Sequence, residues 1–358
     1  MNGSIHEFTR IPAPGSDMPH GRALARGDVR NRMRATSDPC IGVIFNPRSH
    51  RNRGGGRAEL PGVMIAEPAD RDRLPAVLAD FAARGVDYLI IDGGDGTVRD
   101  ILTSGQAVFG DDWPALAVLP KGKTNALNID LGAPGDWSLA DAIAAHHSGR
   151  RVLRRPLQII ADEPGLDRGH GADEGGTGIL QGFILGAGAF TTGIQAGQDA
   201  HRMGAFNSLA VGVTVIWAVI QALFGSPTNK WRRGVPMDIR LGPERRSMRH
   251  SGYGASDRRD VLVATTLERL PAGIKLFGKR QRGLKLFVMD KMRRTLMASL
   301  PATLFGYDPP WLSGAGFHRI EAAEFAIALG GQFILDGEAF PAGQYIVREG
   351  PELSFVVP

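Results

Sequence analysis

Cysteine is almost missing from this chain: Cys40 is the only one in 358 residues. A single thiol excludes an intrachain disulfide framework and suits a reducing compartment. Metal-ligand patterns are scarce as well. No His-Glu-x-x-His or Cys/His cluster occurs, and His146 and His147 are adjacent, so they cannot share a helix face. There is no Gly-x-Ser-x-Gly elbow and no Walker-type lysine loop, which removes the commonest hydrolase and P-loop signatures. No fixed-period repeat is visible. With 43% hydrophobic and 22% charged residues, the composition is that of a globular protein long enough for two domains.

An export signal is not expected at the N-terminus. Met1–Thr36 carries six arginines against three acids and no apolar run, and reads as a flexible basic arm, residues 1–36. One stretch approaches the ~20 apolar residues that a membrane span requires. It is Ala205–Phe224, inside a charge-free interval from Arg202 to Lys230. Asn207, Thr214 and Gln221 recur along it every seven residues, which marks a polar stripe. Such a helix is expected to pack on a domain or lie at a lipid surface rather than to span.

What the chain has in quantity is glycine, 48 residues, and its placement is informative. Cys40–Phe45 reads as a buried strand running into Asn46-Pro47 and a glycine- and arginine-rich loop. Arg73–Ala83 has helical spacing. Tyr88–Ile91 is a second buried strand that exits into Gly93-Gly94-Asp95-Gly96-Thr97, with a helix over Val98–Leu102. Leu116–Leu119 is a third strand, and Ser138–His146 a further helix. This alternation predicts an α/β domain with a parallel, doubly wound sheet over residues 37–150, with its ligand at the carboxyl ends of the strands. After about Arg150 short β-like runs dominate: Ile179–Leu185, Met237–Leu241, Val261–Thr265, Leu284–Met289, Phe317–Ala322, Phe325–Leu329 and Phe333–Leu335. They predict a second, mostly antiparallel domain over 151–344, a sandwich or partial barrel. The last strands, Tyr345–Val347 and Ser354–Val357, are free to pair in either domain.

Glycines at a strand-to-helix junction let backbone N–H groups approach an anion, helped by the helix N-terminus. Asp95 could then hold a phosphate-bound metal or cap the helix, and Thr97 offers a hydroxyl. A plain glycine-rich turn would look the same. Two more loops favour the anion: Asn46–Arg57 carries four arginines, and Leu119–Gly132 presents Lys121, Lys123, Thr124 and Asn125. Three such loops on one sheet edge suit a nucleoside triphosphate.

Gly-Gly-Asp-Gly-Thr after a strand, Asn-Pro after the first strand and Pro-x-Gly-x-x-Asn after the third together resemble the diacylglycerol kinase catalytic domain. Bacterial soluble lipid kinases, sphingosine kinases and ceramide kinases share it. Gly186–Phe190, the His201–Val213 segment and Leu335–Glu338 follow in that family's order. The resemblance implies an ATP-binding domain, a larger β-rich lipid-binding domain, a cleft between them, and transfer of the γ-phosphate to a lipid hydroxyl. It implies ATP contacts at Asn46, Pro47, Arg48, Ser49 and His50, along Gly94–Asp100 with Gly93, and at Lys123 with Thr124 and Asn125. It implies Mg2+ carried with the nucleotide near Asp95, and Asp336 and Glu338 as catalytic carboxylates, Glu338 as proton acceptor. Taken alone, Asp336-Gly337 between apolar runs reads equally as a hairpin turn.

Departures from the family pattern are specific. Lys123 stands where a hydroxyl residue is common, and could meet phosphate as a point charge. Asn125-Ala126-Leu127 is closer to the sphingosine kinase form and leans the acceptor toward ceramide over diacylglycerol. Arg282-Gly283 replaces an Asp-Gly that supports an auxiliary magnesium in bacterial relatives, so that site is not expected. Phe190 precedes Thr191-Thr192 where Phe-Asp-Ala is usual. Basic segments Lys230–His250 and Ile274–Arg294 mix cations with apolar residues; an anionic membrane surface is the expected partner, with Trp231, Phe277 and Trp311 as anchors. Nucleic acid is not, since no recognition motif accompanies the charge. The expectation is a cytoplasmic lipid kinase, peripheral at the membrane. Its rivals are a NAD kinase, for which the later glycine-rich segment is not found, and a non-catalytic nucleotide- or lipid-binding regulator of the same fold.

Overall fold

The computed structural model describes residues 38–53, 60–162, 178–189, 191 and 234–358. The basic arm, the Ala205–Phe224 segment and Trp231 lie outside the described residues. The chain divides into two compact units. The first takes the described residues up to Pro156, then 178–182 and Gly350–Pro358; the second takes Leu157 onward and Phe183–Glu349.

In the first unit, β1 (Ile41–Phe45), β2 (Val63–Ala66), β3 (Tyr88–Gly93), β4 (Ala115–Pro120), β5 (Arg150–Arg154) and β19 (Leu353–Val357) form one sheet in the order β2-β1-β3-β4-β19-β5. Every pairing is parallel except β19 with β5. The side chains of β1 and β3 are apolar on both faces, as a strand covered by helices on each side requires. One face packs Val43, Tyr88, Ile90 and Ala117 against Trp137, Ala142 and Ala145. The last two lie on a helix, Leu139–Ser148, whose start is set by Ser138 and Asp141 in a reciprocal capping box. On the other face Gly42 leaves room for Phe81 of the helix Leu74–Ala83.

We number the helices α1 (Leu74–Ala83), α2 (Asp95–Phe109), α3 (Ala126–Leu131), α4 (Leu139–Ser148), α5 (Arg294–Leu304) and α6 (Trp311–Gly314). Helix α2 starts at Asp95, three residues before the expected Val98, because Gly94 serves as its N-cap and the glycine-rich motif forms its first turn. The edge strand β2 and helices α3 and α5 were not expected. Strand β5 belongs to the first sheet although residues from 151 were assigned to the second domain. Its pairing with β19 draws the C-terminus back to the first unit.

The second unit holds β6 (Leu157–Ala161), β8 (Ile184–Gly188), β9 (Val235–Leu241), β10 (Arg246–Ser247), β11 (Arg258–Arg259), β12 (Val261–Thr265), β13 (Lys285–Met289), β14 (Phe317–Glu321), β15 (Glu324–Leu329), β16 (Phe333–Leu335), β17 (Glu338–Phe340) and β18 (Gly343–Glu349). The run expected as one strand, Ile179–Leu185, is β7 (Ile179–Gly182) and β8 separated by Phe183. One antiparallel sheet runs β10-β9-β15-β18-β6 and another β14-β13-β12-β8-β16-β17; β11 adds to β9. Phe333 meets Tyr345 edge to face across the two sheets, with ring centroids 5.0 Å apart. The opposite face of the second sheet, Val263, Phe287, Met289 and Phe317, is covered by Leu296 and Met297 of α5 and Leu312 of α6.

A buried ion cluster pins this unit. Asp290 accepts hydrogen bonds from Arg259, from His318 Nε2 at 2.8 Å and from the Ser251 N–H at 2.7 Å. Burial pushes its carboxyl up, but the bonds from His318 and Ser251 and the Arg259 charge outweigh that and hold it at about 2. At the opposite end of β13, the fully buried Lys285 donates to the carbonyls of Gln281 at 2.8 Å and Gly283 at 3.0 Å. A lysine ammonium therefore gathers the carbonyls on either side of Arg282.

A depressed folded-state pKa stabilises above the unfolded value of 3.8 and is lost as pH falls through about 2. Asp290→Asn should therefore cost about 3–5 kcal/mol near neutrality by stranding Arg259. In urea unfolding the gap to the parent protein should narrow progressively between pH 4 and 2. A gap independent of pH over that window would contradict this assignment.

Candidate nucleotide site

Strand β1 leads to β2 on one side of the sheet, whereas β3 lies on its other side. The carboxyl ends of β1 and β3 therefore flank the switch point where ligands bind in open α/β sheets. Asn46 follows β1 and Gly94 follows β3. Asn46 Nδ2 donates to Thr97 Oγ1 at 2.7 Å, while its Oδ1 accepts from the Arg48 N–H at 3.0 Å. Asn52 reinforces the junction: its Nδ2 reaches Asp92 Oδ1 at 2.7 Å and Asn46 O at 3.1 Å. Asp92 is buried at the end of β3; burial raises its carboxyl pKa, opposed by Asn52 and the Lys121 charge.

The loop after β4 joins the same edge. Arg51 N–H donates to Lys121 O at 3.1 Å. Asn125 sits in the left-handed region at φ 51°, a conformation that asparagine tolerates, and closes its loop through both Gly122 N at 2.7 Å and Gly122 O at 3.1 Å. Asp95 links the second loop to the third. Its carboxylate is raised by burial and held against that by N–H groups of Ala126, Leu127 and Asn125, at the start of α3. Asp95 thus caps α3 in addition to opening α2.

The glycines have reasons other than the one expected. A Cβ on Gly94 would lie 2.7 Å from Gly122 Cα, and one on Gly93 would collide with Thr97. Those two glycines allow protein segments to touch. Only Gly96 has space, with Arg99 Nη2 nearest at 3.8 Å. Because the α2 N-cap is a glycine, its side chain supplies no cap hydrogen bond, and the Asp95 carboxylate accepts from its own N–H at the first position of the helix.

Around this edge Pro47 is half-buried, Ser49 is buried, and Arg48, His50, Lys123 and Thr124 are exposed. The Arg48 guanidinium donates to the Ala69 carbonyl and that of Arg51 to the Gly135 carbonyl, which ties the arginine-rich loop to its neighbours. Asn52 and Asp92 were missed in the sequence reading. Asn52 lay in a loop dominated by arginines, and Asp92 looked like the polar end of a strand.

Asp336 and Glu338 belong to the hairpin between β16 and β17 in the second unit. Asp336 sits at φ 45° in the turn. Its two oxygens accept from the Phe183 and Ile184 N–H groups, both at 2.9 Å. That carboxylate anchors the hairpin to the start of β8. Glu338 begins β17 opposite Leu335 and is half-buried.

Among the described residues no group of three or more His, Cys, Asp or Glu side chains is placed to hold a metal ion. A magnesium carried on phosphate oxygens needs only one or two carboxylates, and Asp95 is the acid nearest the motif. Its oxygens are largely engaged by α3.

The geometry is that of a parallel α/β unit with three loops gathered at one sheet edge. Residues 41–153 match the family model of the diacylglycerol kinase catalytic domain. That segment, less than a third of the chain, is thus similar to the diacylglycerol kinase catalytic domain. A solved structure of a diacylglycerol kinase from Bacillus anthracis str. Sterne superposes with a TM-score of 0.59 at 15% identity, covering 90% of this chain and 98% of that one. A second structure from the same organism gives 0.60 with the same identity and coverage. At that identity the likeness shows the fold, including the two antiparallel sheets. No curated protein matches.

Gly94→Ala should cost about 1–3 kcal/mol by forcing two loops apart. Gly96→Ala should leave stability unchanged or raise it by up to about 1 kcal/mol, as alanine favours a helix. Denaturant titration of both proteins, beside ATP titration, separates packing from ligand approach. Loss of ATP affinity in Gly96→Ala with stability intact is the expected sign of phosphate at the α2 N-terminus.

Proposed function

We propose that this protein is an ATP- and magnesium-dependent kinase that phosphorylates the hydroxyl of a neutral lipid. The single observation that carries the nucleotide half of this reading is the cross-linking of three loops at the switch point. Asn46 with Thr97, Arg51 with Lys121, and Asp95 with the start of α3 hold them together. The glycine-capped α2 N-terminus then favours phosphate, and the exposed Lys123 supplies a point charge in place of a hydroxyl. Magnesium, when bound with the nucleotide, would offset charge on the phosphates.

A lipid alcohol is a weak nucleophile at neutral pH, so its proton must pass to a base during attack. Glu338 is assigned that role. Asp336 positions the hairpin, since both its oxygens hold backbone N–H groups. Ceramide or diacylglycerol would serve as acceptor. The lean to ceramide rests on kinship of Asn125-Ala126-Leu127 alone. Ala126 and Leu127 are buried in the nucleotide unit, where they start α3. A cytoplasmic, peripheral enzyme follows from the same reading; no described helix is long and apolar enough to cross a membrane.

Purified protein with labelled ATP and either lipid in mixed micelles should yield labelled phospholipid. Glu338→Gln should lower kcat by about 10²–10⁴-fold while leaving the unfolding midpoint in place. Asp336→Asn should lower the midpoint as well, because its amide keeps one acceptor oxygen and leaves one of the two N–H groups unpaired. Undiminished turnover in Glu338→Gln would place the base elsewhere. Absence of labelling with both lipids would remove the kinase reading.

A further inference from the structure

Two loops of the second unit carry large apolar side chains into solvent. Phe305 is 78% exposed, Tyr307 and Trp311 are each 49% exposed, and Ile274 is 38% exposed. They are neighbours in space as well as in type. The Lys275 N–H donates to Leu304 O at 2.7 Å, and Lys275 Cδ lies 3.2 Å from where a Cβ on Gly306 would stand. Arg280 pairs with Asp308 at 3.2 Å, so the segments 274–280 and 304–308 run side by side.

The exposure is built in rather than left over. Phe277, Leu296 and Leu312 fasten the same layer to the sheet, and burying each of them turns its neighbours outward. Phe277, expected as an anchor, is only 4% exposed and serves the core. Its place is taken by Phe305 and Tyr307, which sequence reasoning passed over because they end an unexpected helix. Gly306 at φ 101° makes the sharp turn between them, and Pro309-Pro310 stiffens the exit toward Trp311.

The sequence through this ridge carries a positive excess. Between Ile274 and Leu312 there are eight lysines and arginines against two acids. One acid, Asp290, is buried, and the other, Asp308, is neutralised by Arg280 and by Arg319 at 2.8 Å. Lys275, Lys279 and Arg282 are exposed. Aromatic tips able to enter the headgroup region, flanked by cations, match an anionic bilayer in both chemistry and sign.

We propose that Ile274, Phe305, Tyr307 and Trp311, framed by Lys275 and Lys279, are the surface by which this protein docks on an anionic membrane. The surface rests on the lipid kinase reading, because an acceptor dissolved in a bilayer gives such a contact its purpose. The aromatics supply depth and the cations select anionic lipid.

The test is partition of the full chain onto vesicles of phosphatidylcholine mixed with phosphatidylglycerol, against vesicles of phosphatidylcholine alone. Binding should favour the anionic vesicles and weaken with salt. Lys275→Ala with Lys279→Ala should weaken it roughly fivefold per cation removed. Phe305→Ser with Trp311→Ser should abolish it on both vesicle types. In the unaltered protein, brominated phosphatidylcholine in the anionic vesicles should quench tryptophan emission, and Trp311→Phe should reduce that quenching without altering the fold. Phosphorylation of an acceptor dispersed in detergent micelles, run in parallel, should survive all these substitutions. If no acceptor is phosphorylated in micelles while vesicle binding still requires these side chains, the docking surface stands and the kinase reading falls. Equal partition onto both vesicle types, partition unchanged in both double variants, or emission untouched by bromine overturns the surface.

Discussion

The first unit depends on the contact between Gly94 and Gly122, made at the edge of a parallel sheet where two loops meet without side chains between them. That approach lets Asp95 reach the N–H groups of α3 and brings the loop after β4 beside the first turn of α2. Asn46 and Thr97 close the other side. A polar rim of this kind, assembled from three separate loops, stays in register because each backbone segment is held by a hydrogen bond from another. Its members cost little in isolation, but a buried carboxylate such as Asp95 is tolerated only while the α3 amides face it.

The second unit solves a different problem. Its two antiparallel sheets share an apolar interior, yet it buries charge at Asp290, Arg259 and Lys285. Asp290 and Lys285 are satisfied by their partners and Arg259 is held through its two terminal nitrogens, so the polar groups restrict how the strands and turns can align. Asp336 does similar work at the β16–β17 hairpin, where its oxygens fix the entry of β8. The hairpin that carries Glu338 is thereby fixed at its turn.

Much of the fold was legible beforehand. Buried aliphatic runs such as Tyr88–Ile91 and Val261–Thr265 announce strands because no polar residue interrupts them, and Ser138 with Asp141 announces a helix start. The glycine motif and the Asn-Pro turn pointed to the sheet edge where the loops after β1, β3 and β4 meet. Less visible were elements whose residues look ambiguous locally. Helix α5 contains Pro301 and ends at an exposed Phe305, and β2 is an edge strand with no fully buried side chain. Asn52 was hidden for the same reason: its partner, Asp92, is forty residues away in the chain.

By itself the sequence determined the alternation of strand and helix, the position of the glycine-rich turn and the acids available for chemistry, because these follow from side-chain period and backbone freedom. Tertiary structure alone decided what each glycine and acid does. Gly94 proved to serve a contact between loops, Asp336 an anchor for a hairpin, and Phe277 the core while Phe305 faces solvent. Such roles depend on which distant segment arrives within a few ångströms, and local sequence pattern carries no record of that distance.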